Sequence, residues 1–202
     1  KSFVEMFTFR EGTTYQPIRV LSYAIDYKFW KFNPMGYRIT NILFYILTCI
    51  MIFLTLRRLS ANLREGKLPD SHFRVGLFGA LLFAAHPVHV EAVTWLAARK
   101  EVLQGFFFFL AFYLYLKARE KKGGAKITFL GLVLLSLLVA TLSKPSAIVF
   151  PAVILVYEIA HRKDRWIGFV KGHWLFLALS VIVSLIFAFI LIRVMLDAGG
   201  VK

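Results

Sequence analysis

The stretch Ile39-Thr40-Asn41-Ile42-Leu43-Phe44-Tyr45-Ile46-Leu47-Thr48-Cys49-Ile50-Met51-Ile52-Phe53-Leu54-Thr55-Leu56, closed by Arg57-Arg58, decides the class of this chain. The run carries no charge, and its apolar residues lie on every side of a helix instead of along one stripe. Such helices belong in lipid or deep inside a bundle. A run of about 18 such residues is long enough to be read as a membrane span. The rest of the chain repeats the pattern. Of 202 residues 59% are hydrophobic and only 18% charged, whereas soluble domains average about 45–50% and roughly 25%. Further spans are expected near 75–86, 102–116, 127–142, 147–159 and 174–196. The expected fold class is therefore all-α, a polytopic transmembrane helical bundle of about six spans. Several are shorter than the ~20 residues a bilayer core requires, so they must tilt little, thin the bilayer or end in protein-lined cavities. Residues 1–38 read as an outer-side interfacial segment, 39–196 as the transmembrane domain and 197–202 as a tail.

Basic residues orient the bundle. Arg57, Arg58, Arg64, Lys67 and Arg74 crowd one connection; Lys117, Arg119, Lys121, Lys122 and Lys126 a second; Arg162, Lys163, Arg165 and Lys171 a third. These hold 14 of the 25 Lys and Arg residues. Lys and Arg accumulate in cytoplasmic loops, so 57–74, 117–126 and 161–172 are expected in the cytoplasm, with residues 1–38, His86–Lys100 and Ser143–Pro145 opposite. The net charge of +14 then follows from topology and anionic lipid. Nucleic-acid binding, which gathers basic residues on one soluble face, is not expected. A lone Cys49 permits no disulfide within the chain. The start at Lys1, with neither initiator Met nor signal peptide, reads as a piece of something longer.

Three groups of polar residues are left over, all on the expected outer side. Arg19 and Asp26 stand among the aromatic residues before Asn33-Pro34-Met35-Gly36, itself a turn into the first span. Phe29, Trp30 and Phe32 suit simple anchoring at the interface; Arg19 and Asp26 are not needed for it. The second group is His86-Pro87-Val88-His89-Val90-Glu91, followed by Thr94-Trp95 and Arg99-Lys100-Glu101. Pro87 must end or kink the helix before it and suits the first turn of a new one. Glu91 and Trp95 would share a face of that helix. Ionisable groups at membrane depth are costly and by default functional. A substrate-binding wall, a structural polar network and a metal site formed by His86, His89 and Glu91 all remain open, although that spacing matches no familiar zinc motif. The third group is Ser143-Lys144-Pro145-Ser146. Lys144 either snorkels or joins Arg19, Arg99 and Lys100 in a phosphate-binding cluster.

Tyr15-x-Pro17-x-Arg19-x-Leu21-Ser22-Tyr23-x-x-Asp26-Tyr27, Asn33-Pro34-x-Gly36-Tyr37 and Asn41, then His86 to Trp95 with Arg99 to Leu103, then Ser143-Lys144-Pro145 with Pro151 and Tyr157-Glu158, resemble the membrane region of bacterial proteins that join a transmembrane domain to tetratricopeptide repeats. Their eukaryotic relatives are the transmembrane and tetratricopeptide-repeat-containing O-mannosyltransferases. The resemblance implies a GT-C type glycosyltransferase fold in a bacterial inner membrane. It implies a polyprenyl-phosphate sugar as donor and an acceptor, possible as a protein, on the non-cytoplasmic side. Carried over residue by residue, Arg19, His86, His89, Glu91, Arg99 and Lys144 would line the donor cavity. The family's acidic pair, expected after an earlier span, and its repeats do not occur between Lys1 and Lys202. Glu91, and after it Asp26, are then the candidate catalytic carboxylates. A need for a divalent metal is left open. Two other readings stand beside this one: a non-catalytic transmembrane scaffold packed against neighbouring subunits through aromatics such as Phe106-Phe107-Phe108-Phe109, and a lipid flippase or transporter.

Overall fold

A computed structural model of the chain describes residues 16–63 and 69–162, then 174, 176–186, 189, 193 and 196. Tyr15, Arg64, Lys67, Lys163, Arg165, Lys171 and the tail 197–202 lie outside the described residues. The described residues form helices and no strand: α1 Pro17–Trp30, α2 Pro34–Leu63, α3 Pro69–Ala85, α4 His89–Thr94, α5 Arg99–Ala118, α6 Gly123–Ser143 and α7 Phe150–Arg162. A helical stretch, Phe176–Ile186, follows. The chain is an all-α helical membrane bundle. Among the described residues three helices, Pro34–Asn62, Leu96–Ala118 and Gly123–Ser143, are long and apolar enough to cross a bilayer. No more than a third of each span's most apolar window is buried inside the protein, so most of its surface is left for lipid. On α2 the outward side carries Ile39, Leu43, Ile46 and Ile50, all exposed and one helical turn apart. The other expected spans correspond to shorter elements: α3, α7 and the stretch from Phe176.

Local chemistry places the breaks. Pro17 and Pro34 each open a helix, where a missing N–H costs nothing. Between them Lys31 takes a positive φ of 48°, and the Asn33 side chain accepts from the Met35 N–H at 3.0 Å, capping α2. Gly36 lies under the Trp30 ring; a Cβ there would come within 2.1 Å of it. At His86-Pro87 helix α3 stops at Ala85, and Pro87-Val88 form a turn before α4. Helix α4 ends at Thr94, and Trp95, extended (φ −88°, ψ 121°), caps it by donating its N–H to the Glu91 carbonyl at 3.0 Å, so Glu91 and Trp95 keep their i, i+4 relation. A single 3-10 turn, Leu96–Ala98, then leads into α5. Lys144 is extended before Pro145, as the residue before proline prefers, and a 3-10 turn, Pro145–Val149, leads into α7.

Helix α2 packs against α3 and α5, and α5 most extensively against α6. Gly76 of α3 brings the first pair close: a Cβ there would lie 2.9 Å from the Phe53 carbonyl oxygen, the small-residue contact that membrane helices favour. The main core joins Phe112, Tyr115 and Leu116 of α5 to Val133 and Leu137 of α6, Phe150, Ile154 and Tyr157 of α7, and Phe176. Two of its aromatic pairs meet edge to face, Phe108–Phe150 (5.3 Å, 90°) and Phe112–Tyr157 (5.7 Å, 89°), while Tyr115 stacks on Phe176 (5.9 Å, 13°). Each such pair adds about 0.5–1.5 kcal/mol beyond its area. Within the Phe106–Phe109 run, Phe106 packs on Phe44 and Phe108 on Phe150, so part of that run fills the bundle.

Candidate functional site

Helices α2 and α5 start at the same end of the bundle. There the break at Trp95 puts the Trp95 and Leu96 carbonyls in a 3-10 turn, where they accept from the Ala98 N–H at 3.1 Å and from the Arg99 N–H, and a side chain adds a second bond to each. Asn41 Nδ2 donates to the Trp95 carbonyl at 3.3 Å, and the Tyr23 hydroxyl donates to that of Leu96. Arg99 sits at the centre, fully buried. Its Nη1 lies 2.7 Å from Asp26 Oδ2, its Nε donates to Asn41 Oδ1 and its Nη2 donates to the Tyr37 carbonyl at 2.8 Å. The guanidinium stands 5.0 Å from the Tyr23 ring centroid. Thr40 Oγ1 donates to the other Asp26 oxygen at 2.9 Å. A buried ion pair needs further hydrogen bonds to offset its desolvation; Asn41, the Tyr37 carbonyl and Thr40 supply them here, while Asp26 Oδ2 has the ion pair alone. It ties α1, α2 and α5 together.

Beside this network opens a cavity of about 460 Å³ lined by Arg19, His89, Glu91, Trp95, Lys100 and Glu101, with small alanines between. Lys144 reaches its rim through an ion pair with Glu101. The His89 ring rests on Phe83, centroids 4.0 Å apart, and lies 5.8 Å from Tyr45. Burial first, and the neighbouring His86 second, hold the His89 pKa below its ordinary value. His89 is therefore a neutral imidazole near pH 7, able to accept one hydrogen bond and donate another. Glu91 is exposed to the cavity.

The structure thus divides the residues singled out from sequence. Arg19, His89 and Glu91 share one cavity, and Lys144 stands at its edge. Arg99 and Asp26 spend their charges on each other beneath it. His86 is exposed and bends back so that its Nδ1 accepts from the Val88 N–H at 3.2 Å. Its ring is 5.9 Å from that of His89. Among the described residues no group of three His, Cys, Asp or Glu side chains is placed to hold a metal ion.

Lys100 and Glu101 complete the cavity wall. The three consecutive ionisable residues 99–101 turn about 100° each around a helix, which sends Arg99 inward and its two neighbours to the cavity. A second polar network, unnoticed in the sequence, lies at the opposite end. Glu158, 1% exposed, accepts from the Tyr115 hydroxyl at 2.7 Å and pairs with Arg119 at 2.9 Å. Tyr157 in turn accepts from Arg119 and from Asn62. Tyr157-Glu158 was visible only as a dipeptide, with no sign that Arg119 would reach it.

A lipid-facing bundle with a buried ion-paired layer and an open, polar cavity at one end defines a polytopic membrane protein whose polar residues serve more than topology. Comparison with known proteins narrows this. The chain is 33% identical over 150 residues to protein O-mannosyl-transferase TMTC3 of Mus musculus, which covers 74% of this chain and 15% of the relative. It is 35% identical over 156 residues to protein O-mannosyl-transferase TMTC4 of Homo sapiens, covering 72% of this chain and 21% of that protein. Against protein O-mannosyl-transferase Tmtc3 of Drosophila melanogaster the identity is 30% over 160 residues, with 72% and 17% covered. The chain is a homologue of the protein O-mannosyl-transferases across most of its own length. It spans only about a fifth or less of the length of these relatives. They are animal proteins, so the expectation of a bacterial membrane gains no support from them. No family model and no solved structure matches the chain.

Proposed function

We propose that this chain is part of the membrane domain of a glycosyltransferase that moves a sugar from a polyprenyl-phosphate donor to a hydroxyl of a protein acceptor, on the non-cytoplasmic side. The observation that carries the reading is the cavity that gathers Glu91, Arg19, His89 and Lys100, in a chain homologous to protein O-mannosyl-transferases. In this reading Glu91 takes the proton of the acceptor hydroxyl. The hydroxyl oxygen bonds to the anomeric carbon as the bond from that carbon to phosphate breaks. The phosphate leaves with the electron pair, and Arg19 and Lys100 stabilise its charge. Lys144, held at the rim by Glu101, is a third cation for it. His89, neutral, orients a sugar hydroxyl. Asp26 and Arg99 hold the wall in place without touching substrate. The basic ends of α2, α5 and α7 would then face the cytoplasm.

The test is sugar transfer by the full-length protein in its native membrane. Glu91→Gln should lower the turnover rate by about 10²–10⁴-fold, the usual contribution of a general base, with protein level and melting temperature unchanged. Arg19→Ala should chiefly weaken donor binding. Full activity in both variants defeats this reading and favours a scaffold.

A further inference from the structure

The end of the bundle opposite Glu91 carries a second cavity, of about 450 Å³, whose lining includes Arg57, Arg58, Asn62, His72, Tyr113 and Glu120. Its position follows from helix geometry. From Asn41 to Asn62 along α2, at 1.5 Å per residue, is about 31 Å, close to the ~30 Å of a bilayer's hydrocarbon core. Asn41 belongs to the layer beside the Glu91 cavity. Asn62 therefore lies at headgroup depth in the other leaflet, and Arg57 and Arg58, about 24–26 Å from Asn41, reach that depth with their long side chains.

The chemistry of the cavity is that of a phosphate site. Arg57, Arg58 and His72 meet a single acid, Glu120. Arg58 is 24% exposed and pairs with Glu120 through Nη2. Its guanidinium stands 6.0 Å from the Tyr113 ring centroid, and its Nε is buried with no hydrogen-bond partner. A buried donor without an acceptor is costly, and a phosphate oxygen between Arg57 and Arg58 would relieve that cost. Arg is the side chain best shaped to hold a phosphate through two nitrogens. Glu120 is half exposed, so exchanging its carboxylate for a phosphate releases it into water, where a surface ion pair contributes little. The His72 Nδ1 is engaged 3.0 Å from Ser60 Oγ, which leaves its Nε2 as the atom that can turn to a ligand. The apolar surface of α3 beside the site, Phe73, Leu77 and Phe78, is exposed and suits an acyl chain.

We propose that this cavity binds the phosphate headgroup of an anionic membrane lipid, in the leaflet opposite the Glu91 cavity. The site is independent of the transferase reading: it uses none of the same residues. The experiment reconstitutes the full-length protein in nanodiscs of phosphatidylcholine doped with phosphatidic acid, and counts retained phosphatidic acid by native mass spectrometry. Wild-type protein should retain one more phosphatidic acid than the Arg57→Gln/Arg58→Gln double variant, with occupancy lower by about tenfold or more in the variant. Glu120→Gln, which removes the competing carboxylate, should raise retention. Both variants alter partly exposed residues, and circular dichroism checks that their helices persist. Equal retention in the double variant and the wild type overturns the site. Inorganic phosphate at millimolar concentration should not displace the lipid; if it binds alone and expels it, the cavity is a free-phosphate site and the lipid assignment falls.

Discussion

The two ends of the bundle are built from the same parts and do different things with them. At one end Arg99 pairs with Asp26, fully buried and saturated by Asn41 and the Tyr37 carbonyl. At the other Arg119 pairs with Glu158, supported by Tyr115 and Tyr157. Each pair sits where a span begins or ends, and each joins helices distant in sequence. Next to the first, however, the chain is broken twice, at His86-Pro87 and at Trp95, and the breaks open a cavity that presents Glu91, a carboxylate exposed to it. Next to the second the helices run on to their ends, and the one acid lining the adjoining cavity, Glu120, is tied to Arg58. A buried ion pair is thus a fastening at both ends. What separates the two cavities is the state of the carboxylate: Glu91 lines a cavity opened by broken helices, whereas Glu120 is held by Arg58.

The comparison is broken most severely at Arg99. Arg99→Ala leaves Asp26 buried and unpaired, and the expected loss is about 3–5 kcal/mol, seen as a large fall in melting temperature in detergent. Glu158→Gln should cost less, about 1–3 kcal/mol, because Arg119 is 15% exposed against 0% for Arg99 and reaches water more easily. Equal losses at the two positions would show that the ends are equally dry. Lys144→Ala should change stability by about 0–1 kcal/mol, since the Lys144 and Glu101 side chains are each about a third exposed; a kinetic effect on donor binding would then stand apart from it.

The smallest effect expected concerns pH. Burial lowers the His89 pKa from 6.5, so the unfolded chain binds this proton more readily than the folded one. Stability from this group is complete above about pH 6.5 and is lost as pH falls below it. An NMR titration of selectively labelled histidine should place His89 below the ordinary imidazole value of 6.5. A value at or above it removes burial as the cause.

Much of the architecture was legible because it rests on local chemistry. A peptide group cannot stay unbonded in hydrocarbon, so uncharged runs such as Ile39–Leu56 and Val102–Leu116 had to be helical. Pro87 and Pro145 had to interrupt their neighbours because proline lacks an N–H and restricts the residue before it. The polar groups expected on one side of the membrane, including Arg19, His89, Glu91 and Lys144, were recognisable as residues that neither anchoring nor topology explains. Their division of labour was not. Arg99 and Lys100 are adjacent in sequence, yet one is sealed against Asp26 and the other faces a cavity. That outcome depends on where α1 and α2 cross the start of α5. The extended backbone at Trp95 is braced by Asn41 and Tyr23, which donate to the Trp95 and Leu96 carbonyls from positions far away in sequence. Glu158 likewise became a buried partner of Arg119 only through the packing of α5 on α7. Hydrophobic runs and prolines act within a few residues of themselves, so the sequence alone carries them. Ion pairs and cavities join positions tens of residues apart, and only the crossing of helices decides which charges meet and which are left facing open space.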